Sequence, residues 1–287
     1  MSVLVNSVVM IGMFWVVPTG LALVDGPRPP GWDPLRRAWP LLAVPGALAL
    51  WLPRSGTATA LACAYALATL ALALQAPARL MLTRSLRPSE VAVLSALVAP
   101  SVAGLALVAE RASYPLFGFD LDILALTVPH FHFAGFAAAL VAGLVSRTSD
   151  GPAARLAALS VPAGTLLVLL GYFVDDWAEL AGAAVLTTGM AAVSVLTLRE
   201  RRELATDRLT RGLLAVSALV LVATMLLALS WALGEATGLP HLSLTWTAAT
   251  HGLGNALGFA VCALLARRRL ATAPASPALL PRTELPA

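Results

Sequence analysis

Apolar stretches of membrane-spanning length recur along this chain, and that recurrence constrains its fold more than any single motif. A hydrocarbon core about 30 Å thick asks a helix for roughly 17–25 predominantly apolar residues. Nine candidate spans meet or approach that length: Ser2 to Val24, Trp39 to Leu52, Thr57 to Gln75, Glu90 to Val108, Asp122 to Ser146, Leu156 to Phe173, Trp177 to Leu198, Gly212 to Leu233, and Leu244 to Ala266. The second, with Pro40, Pro45 and Pro53, reads either as a span or as a re-entrant segment. The fold class is therefore all-α, a polytopic transmembrane helix bundle of about nine spans, with residues 1–270 forming a single domain.

Charge supplies the topology. All 19 basic residues are arginine, and with 59% hydrophobic against 12% charged residues the chain has no basic stripe with interleaved aromatics, so nucleic acid is not an expected partner. Arginine alternates between connectors. The segments after successive spans carry three (Arg28, Arg36, Arg37), one (Arg54), three (Arg79, Arg84, Arg87), one (Arg111), two (Arg147, Arg155), none, five (Arg199, Arg201, Arg202, Arg208, Arg211), none, and four after the last, so alternate segments hold 17 of the 19. The positive-inside rule makes those segments cytoplasmic and the N-terminus external, which requires an odd number of spans. Multi-pass residence in the inner, cytoplasmic membrane follows, with residues 271–287, rich in Pro and Ala, as a disordered cytoplasmic tail. No Lys or Arg precedes the first span, so it reads as a retained helix rather than a secretory leader. Cys63 and Cys262 sit in different spans without a CxxC pattern and read as packing residues.

The external connectors are acidic: Glu110, Asp120, Asp122, Asp175, Asp176, Glu179 and Glu235 stand there against Arg54 and Arg111. Below them, His130, His132 and His251 lie 8–10 residues into the fifth and ninth spans, roughly 12–15 Å deep at 1.5 Å per residue. Ionisable groups inside a span usually face the bundle interior and mark function. Asp176 and Glu179 share one face at the start of the seventh span, Glu235 ends the eighth, and His241 follows it. On the ninth, Thr247, His251, Gly254, Asn255, Gly258 and Cys262 form one small, polar stripe, for which interhelical hydrogen bonding is the competing account. His130 and His132 point about 200° apart on an α-helix, so one is expected to face the site and the other a neighbour. His132 is the favoured site residue because Gly135, Ala139 and Gly143 mark its helix's close contact. The candidate site is thus His132, His251, Asp176 and Glu179, with His130, Asn255, Glu235 and Glu110 around it.

The runs Thr127-Val128-Pro129-His130-Phe131-His132-Phe133-Ala134-Gly135-Phe136, Glu179-Leu180-Ala181-Gly182-Ala183 and Thr250-His251-Gly252-Leu253-Gly254-Asn255-Ala256-Leu257-Gly258-Phe259 resemble the YndJ-like family of bacterial membrane proteins, over about the C-terminal two thirds of the chain. The resemblance implies a polytopic, transporter-like membrane region and carries over no catalytic residues. A weaker likeness is to haem-copper oxidase subunits, where His-Phe-His and His-Gly helices supply haem ligands. The helix order is reversed here and no copper ligands remain, which excludes an oxidase and leaves bis-imidazole haem ligation by His132 and His251 as an alternative.

Three function classes fit these residues. The first is an enzyme doing acid/base chemistry (cyclisation, isomerisation or hydrolysis) on a lipophilic small-molecule substrate at an outward-facing His/carboxylate site. It requires no cofactor, with a three-His zinc site as its metal variant. The second is a proton-coupled transporter; the likeness of His132-Phe-Ala-Gly-Phe-Ala to Asn255-Ala-Leu-Gly-Phe-Ala is the only hint of internal repetition. The third is a structural or pH-sensing subunit. The inner halves of the spans are expected to carry almost no polar side chains, which favours one-sided access and an enzyme.

Overall fold

A computed structural model describes residues 3–149, 151–205 and 207–272. The expected start at Ser2 and the tail beyond Thr272 lie outside the described residues. Within them the chain forms nine long helices and no strand: α1 (Val3–Leu23), α2 (Trp32–Trp51), α3 (Gly56–Thr83), α4 (Pro88–Arg111), α5 (Leu121–Val145), α6 (Pro152–Gly171), α7 (Asp176–Glu203), α8 (Arg208–Thr237) and α9 (Leu244–Thr272). Eight are long and apolar enough to cross a membrane. The other, α2, opens with Asp33, Arg36 and Arg37, which lower its hydropathy. It nonetheless runs 20 residues without interruption through Pro40 and Pro45, about 30 Å, so it is a full-length helix rather than a re-entrant one. The last helix continues past the expected boundary at residue 270 to Thr272.

Short polar residues set the helix starts. Ser55, Asp175, Asp207 and Ser243 each accept a hydrogen bond from the backbone N–H three residues on, capping α3, α7, α8 and α9. Pro88 and Pro152 occupy the first turns of α4 and α6, where the missing N–H costs nothing.

The centre of the bundle is α5, whose apolar window is 78% buried against 33% for α6, α8 and α9. It packs on α1, α4, α6, α7 and α9. Close approach relies on glycine: a Cβ at Gly135 would sit 2.7 Å from Ala99, and one at Gly143 would sit 2.9 Å from the Ser89 carbonyl, both on α4. Gly164, Gly182 and Gly189 likewise bring α6 and α7 to backbone contact.

Buried ion pairs fasten both ends. At the arginine-rich end, Arg79 grips Glu90 through two bonds of 2.6 and 3.1 Å and the Pro27 carbonyl at 3.0 Å, while Arg147 joins Glu90 at 3.2 Å and pairs with Asp25. That network ties α3, α4 and the segments that follow α1 and α5. Nearby, Arg267 of α9 holds Glu200 of α7 at 2.8 and 3.2 Å, and Thr148 donates to the same carboxylate at 2.7 Å. Arg79, Glu90, Glu200 and Arg267 are all buried, Arg79, Glu200 and Arg267 in segments that the sequence places outside the spans and Glu90 at a span's first residue. At the opposite end Glu110, fully buried, accepts from Arg54 and Arg111, and Arg111 reaches the Ala49 and Leu52 carbonyls, locking α4 to the α2–α3 turn.

Candidate functional site

Three helices carry π-helical turns: Gly12–Val16 in α1, Phe131–Ala138 in α5 and Gly254–Val261 in α9. The three stretches touch one another. π turns account for well under 1% of residues and gather at functional sites, so their convergence at the histidine level marks this centre.

In α1 the Val17 N–H reaches back five residues to the Gly12 carbonyl. The residue that would continue this register is Pro18, which has no N–H. The Met13 carbonyl is satisfied instead by the indole of Trp39, at 2.8 Å. In α5 the wide turns begin just after Pro129, and the His132 imidazole takes part in the local bonding through Nδ1–H, which donates to the Val128 carbonyl at 2.7 Å.

That assignment leaves Nε2 of His132 as an acceptor, and the Tyr65 hydroxyl donates to it at 2.6 Å. The two rings stack with centroids 6.1 Å apart, and Trp39 meets Tyr65 edge-on at 6.3 Å. His132 has no exposed surface, and a Cβ at Gly12 would come within 2.9 Å of it. Both of its nitrogens are occupied. His132 is therefore a sealed hub joining α1, α3 and α5.

His130, two residues earlier, is only half-buried and has no hydrogen-bond partner among the described residues. It belongs to the Leu121–His130 stretch of α5, which packs on the Leu244–Leu253 stretch of α9 that carries His251. His251 is held firmly. Its Nδ1–H donates to the Thr224 carbonyl at 2.8 Å, and its Nε2 accepts from the Asn255 amide at 3.0 Å. Asn255 Oδ1 in turn accepts the Thr224 hydroxyl at 2.7 Å. Gly254 and Gly258 permit this by letting α9 lie on Thr224 and Val220 of α8.

The carboxylates form a separate group nearer the acidic end. Glu179 is buried beside the Tyr172 hydroxyl, with Asp176 and Glu235 as the neighbouring charges, whereas Asp176 itself is exposed. Burial first, then the Glu179 charge and its hydrogen bond, hold the Tyr172 phenol well above its usual range. Glu235 pairs with His241 Nε2 at 2.6 Å, and the His241 ring rests against Trp231 with centroids 6.5 Å apart. Glu110 is held in its arginine clamp. The single His/carboxylate constellation expected from depth counting is thus divided into an imidazole group (His130, His251, Asn255) and a carboxylate group (Glu179, Asp176, Glu235).

Sequence reasoning missed Thr224, Tyr65 and Tyr172. A lone phenol in the Ala/Leu run of α3 was the available signal, since a buried Tyr hydroxyl seeks a partner. Among the described residues no three His, Cys, Asp or Glu side chains gather as a metal-ligand set, and the nitrogens of His132 and His251 are engaged as described. The two best-formed concavities lie away from the histidines, one around Arg155 and Ser160 and one around Arg54, Thr59 and Cys63.

The sequence profile of YndJ-like proteins matches residues 7–259, nearly the whole chain and wider than the two thirds over which the three segments suggested it. The chain belongs to the YndJ-like family. No curated protein and no solved structure matches it.

Proposed function

We propose that this member of the YndJ-like family is a membrane-embedded enzyme that performs acid/base chemistry on a lipophilic molecule, with His130 exchanging the proton and His251 beside it. The observation that carries this reading is the contrast between the two imidazoles: the His130 ring meets Phe131 edge-on and makes no hydrogen bond among the described residues, while His251 is fixed in tautomer and orientation by Thr224 and Asn255. A neutral imidazole next to a rigid one accepts a proton from substrate at one nitrogen while still donating at the other. Positioned proton transfer of this kind is worth about 10²–10⁴-fold in rate. Cyclisation, isomerisation and hydrolysis all use it. With the N-terminus external, as arginine alternation favours, the site opens outward from an inner-membrane protein.

One observation speaks for an enzyme over a proton-coupled carrier. The arginine-rich end beneath the site is fastened by the Glu90 and Glu200 networks, and separating a buried pair leaves an uncompensated charge at about 3–5 kcal/mol. Alternating access through that end would require such separation; one-sided access would not.

The test compares lipid extracts from cells expressing wild type, His130→Ala and His251→Ala, alongside visible spectra and metal content of the purified proteins. A lipophilic species whose abundance follows wild type and reverts in both variants supports the reading. Extracts that do not distinguish His130→Ala from wild type sink it. A Soret band or stoichiometric zinc lost in the variants would instead select a haem or metal protein, and pH-driven uptake into vesicles lost in His130→Ala would select a transporter.

A further inference from the structure

At the end of the bundle opposite the arginine-rich one, the α2–α3 turn and the end of α4 enclose an open cavity of about 520 Å³, a volume in the range of small-ligand sites. Arg54, Thr59, Arg111 and Ser113 line it together with Ala60 and Cys63. Its charge is the reverse of the acidic connectors around it. Glu110 is fully buried and pairs with both Arg54 and Arg111, so two guanidiniums share one carboxylate and one positive charge is left over. The Arg111 side chain is 4% exposed and that of Arg54 39%, so one cation is built into the wall and the other can reach a ligand.

Donors outnumber acceptors here. Glu110 accepts from Nε and Nη2 of Arg54 and from Nε of Arg111, and the Ala49 and Leu52 carbonyls accept from Nη1 of Arg111. Arg54 Nη1 and Arg111 Nη2 make no hydrogen bond among the described residues. Beside them α3 begins: Ser55 caps the Ala58 N–H, while the N–H groups of Gly56 and Thr57 have no acceptor among the described residues. First-turn N–H groups of this kind favour an anion. Ala60, Cys63, Leu67 and Leu70 then follow at intervals of three and four, one exposed face of α3 that continues the cavity wall into the apolar span.

We propose that this cavity binds the phosphate of an anionic lipid, whose chains lie along Ala60, Cys63, Leu67 and Leu70. Arginine is the side chain best matched to phosphate oxygens, and basic pockets between membrane helices hold anionic headgroups. One surplus positive charge matches one phosphodiester. A tetrahedral phosphate meets donors arriving from α3 and α4 in different directions, whereas a planar carboxylate meets them in one plane. A choline headgroup would set a cation beside guanidiniums whose carboxylate is already shared. The exposed apolar face selects a lipid over a soluble phosphate, because it leaves the cavity along the path that acyl chains take.

The experiment titrates full-length protein in detergent with phosphatidylglycerol, phosphatidylcholine, diacylglycerol of the same chains and the matching fatty acid, and counts retained molecules by native mass spectrometry. Phosphatidylglycerol is expected to bind most tightly, and millimolar inorganic phosphate is expected to leave it in place. Arg54→Gln should weaken its binding about tenfold, the worth of one charge-assisted hydrogen bond. Arg54→Lys, which keeps the charge, should retain most of it, and this separates recognition from loss of the fold. Ala60→Phe fills the cavity without touching the Glu110 clamp and should weaken binding at least as much as Arg54→Gln. Phosphatidylglycerol binding unchanged in either Arg54→Gln or Ala60→Phe overturns the proposal, as does equal retention of any of the other three probes. Displacement by inorganic phosphate overturns the lipid assignment and makes the ligand a soluble anion.

Discussion

Tyr65 and His132 meet across α3 and α5 at 2.6 Å, the phenol donating to an imidazole whose other nitrogen is committed to Val128. Replacing Tyr65 by Phe leaves Nε2 buried without a donor. The expected cost is about 1–3 kcal/mol of stability, seen as a lower unfolding temperature in detergent. Turnover of the folded protein should fall far less than in His130→Ala.

His130→Ala should show the opposite pattern. The side chain is half-buried and unbonded among the described residues, so its removal should leave stability within about 0.5 kcal/mol of wild type. Substrate conversion should drop by about 10²–10⁴-fold. A variant that loses stability and activity together would mean that His130 belongs to the framework.

Arg267→Ala strands Glu200, which is 2% exposed and accepts two hydrogen bonds from that guanidinium, its cationic partner. A loss of about 3–5 kcal/mol is expected. The double replacement Glu200→Leu with Arg267→Met should recover most of it, because removing both charges also removes their desolvation penalty. Thermal unfolding of the single and double variants in one detergent checks the difference.

Asp207 caps α8 through the Thr210 hydroxyl and N–H and also pairs with Arg269. These contacts, the Thr210 hydroxyl first, lower its carboxyl from the ordinary 3.8 to about 2. A carboxyl depressed on folding stabilises the native state above its unfolded value, and the contribution fades as pH falls through the folded one. The stability difference between wild type and Asp207→Ala should therefore hold from neutrality to about pH 4 and shrink toward pH 2. A difference constant across that range would assign the effect to the cap geometry alone.

The bundle was legible in the sequence because bilayer thickness imposes span length and because arginine alternates between connectors. The start of α2 was not, since Asp33, Arg36 and Arg37 place charge in its first turns and pulled the expected span to Trp39. The histidine level was also legible by counting from helix starts. Which histidine faces α9 was not: two-residue spacing gives directions only for regular helix, and hydrogen bonds to Met13, Val128 and Thr224 from side chains far off or nearby set the actual register. Two prolines were local clues: Pro129, whose ring and missing N–H loosen the turn that presents His130, and Pro18, whose missing N–H ends the wide register of α1. The longest-range arginine pairs escaped because their residues are distant in sequence, Arg54 from Glu110 and Arg267 from Glu200.

The wide turns of α9 separate His251 from Arg267, so chain length between them governs both ends of the molecule. An α-helix advances 100° per residue. Deleting one residue within Gly254–Val261 would be absorbed as a wide turn tightens to an ordinary one, whereas deleting one below it, between Cys262 and Arg267, would swing Arg267 off Glu200 while His251 and Thr247 kept their places. In this bundle, spacing is inherited along with side chains, and the wide turns of α9 are where the loss of one codon is least felt, while the regular stretch below them is where it would part Arg267 from Glu200.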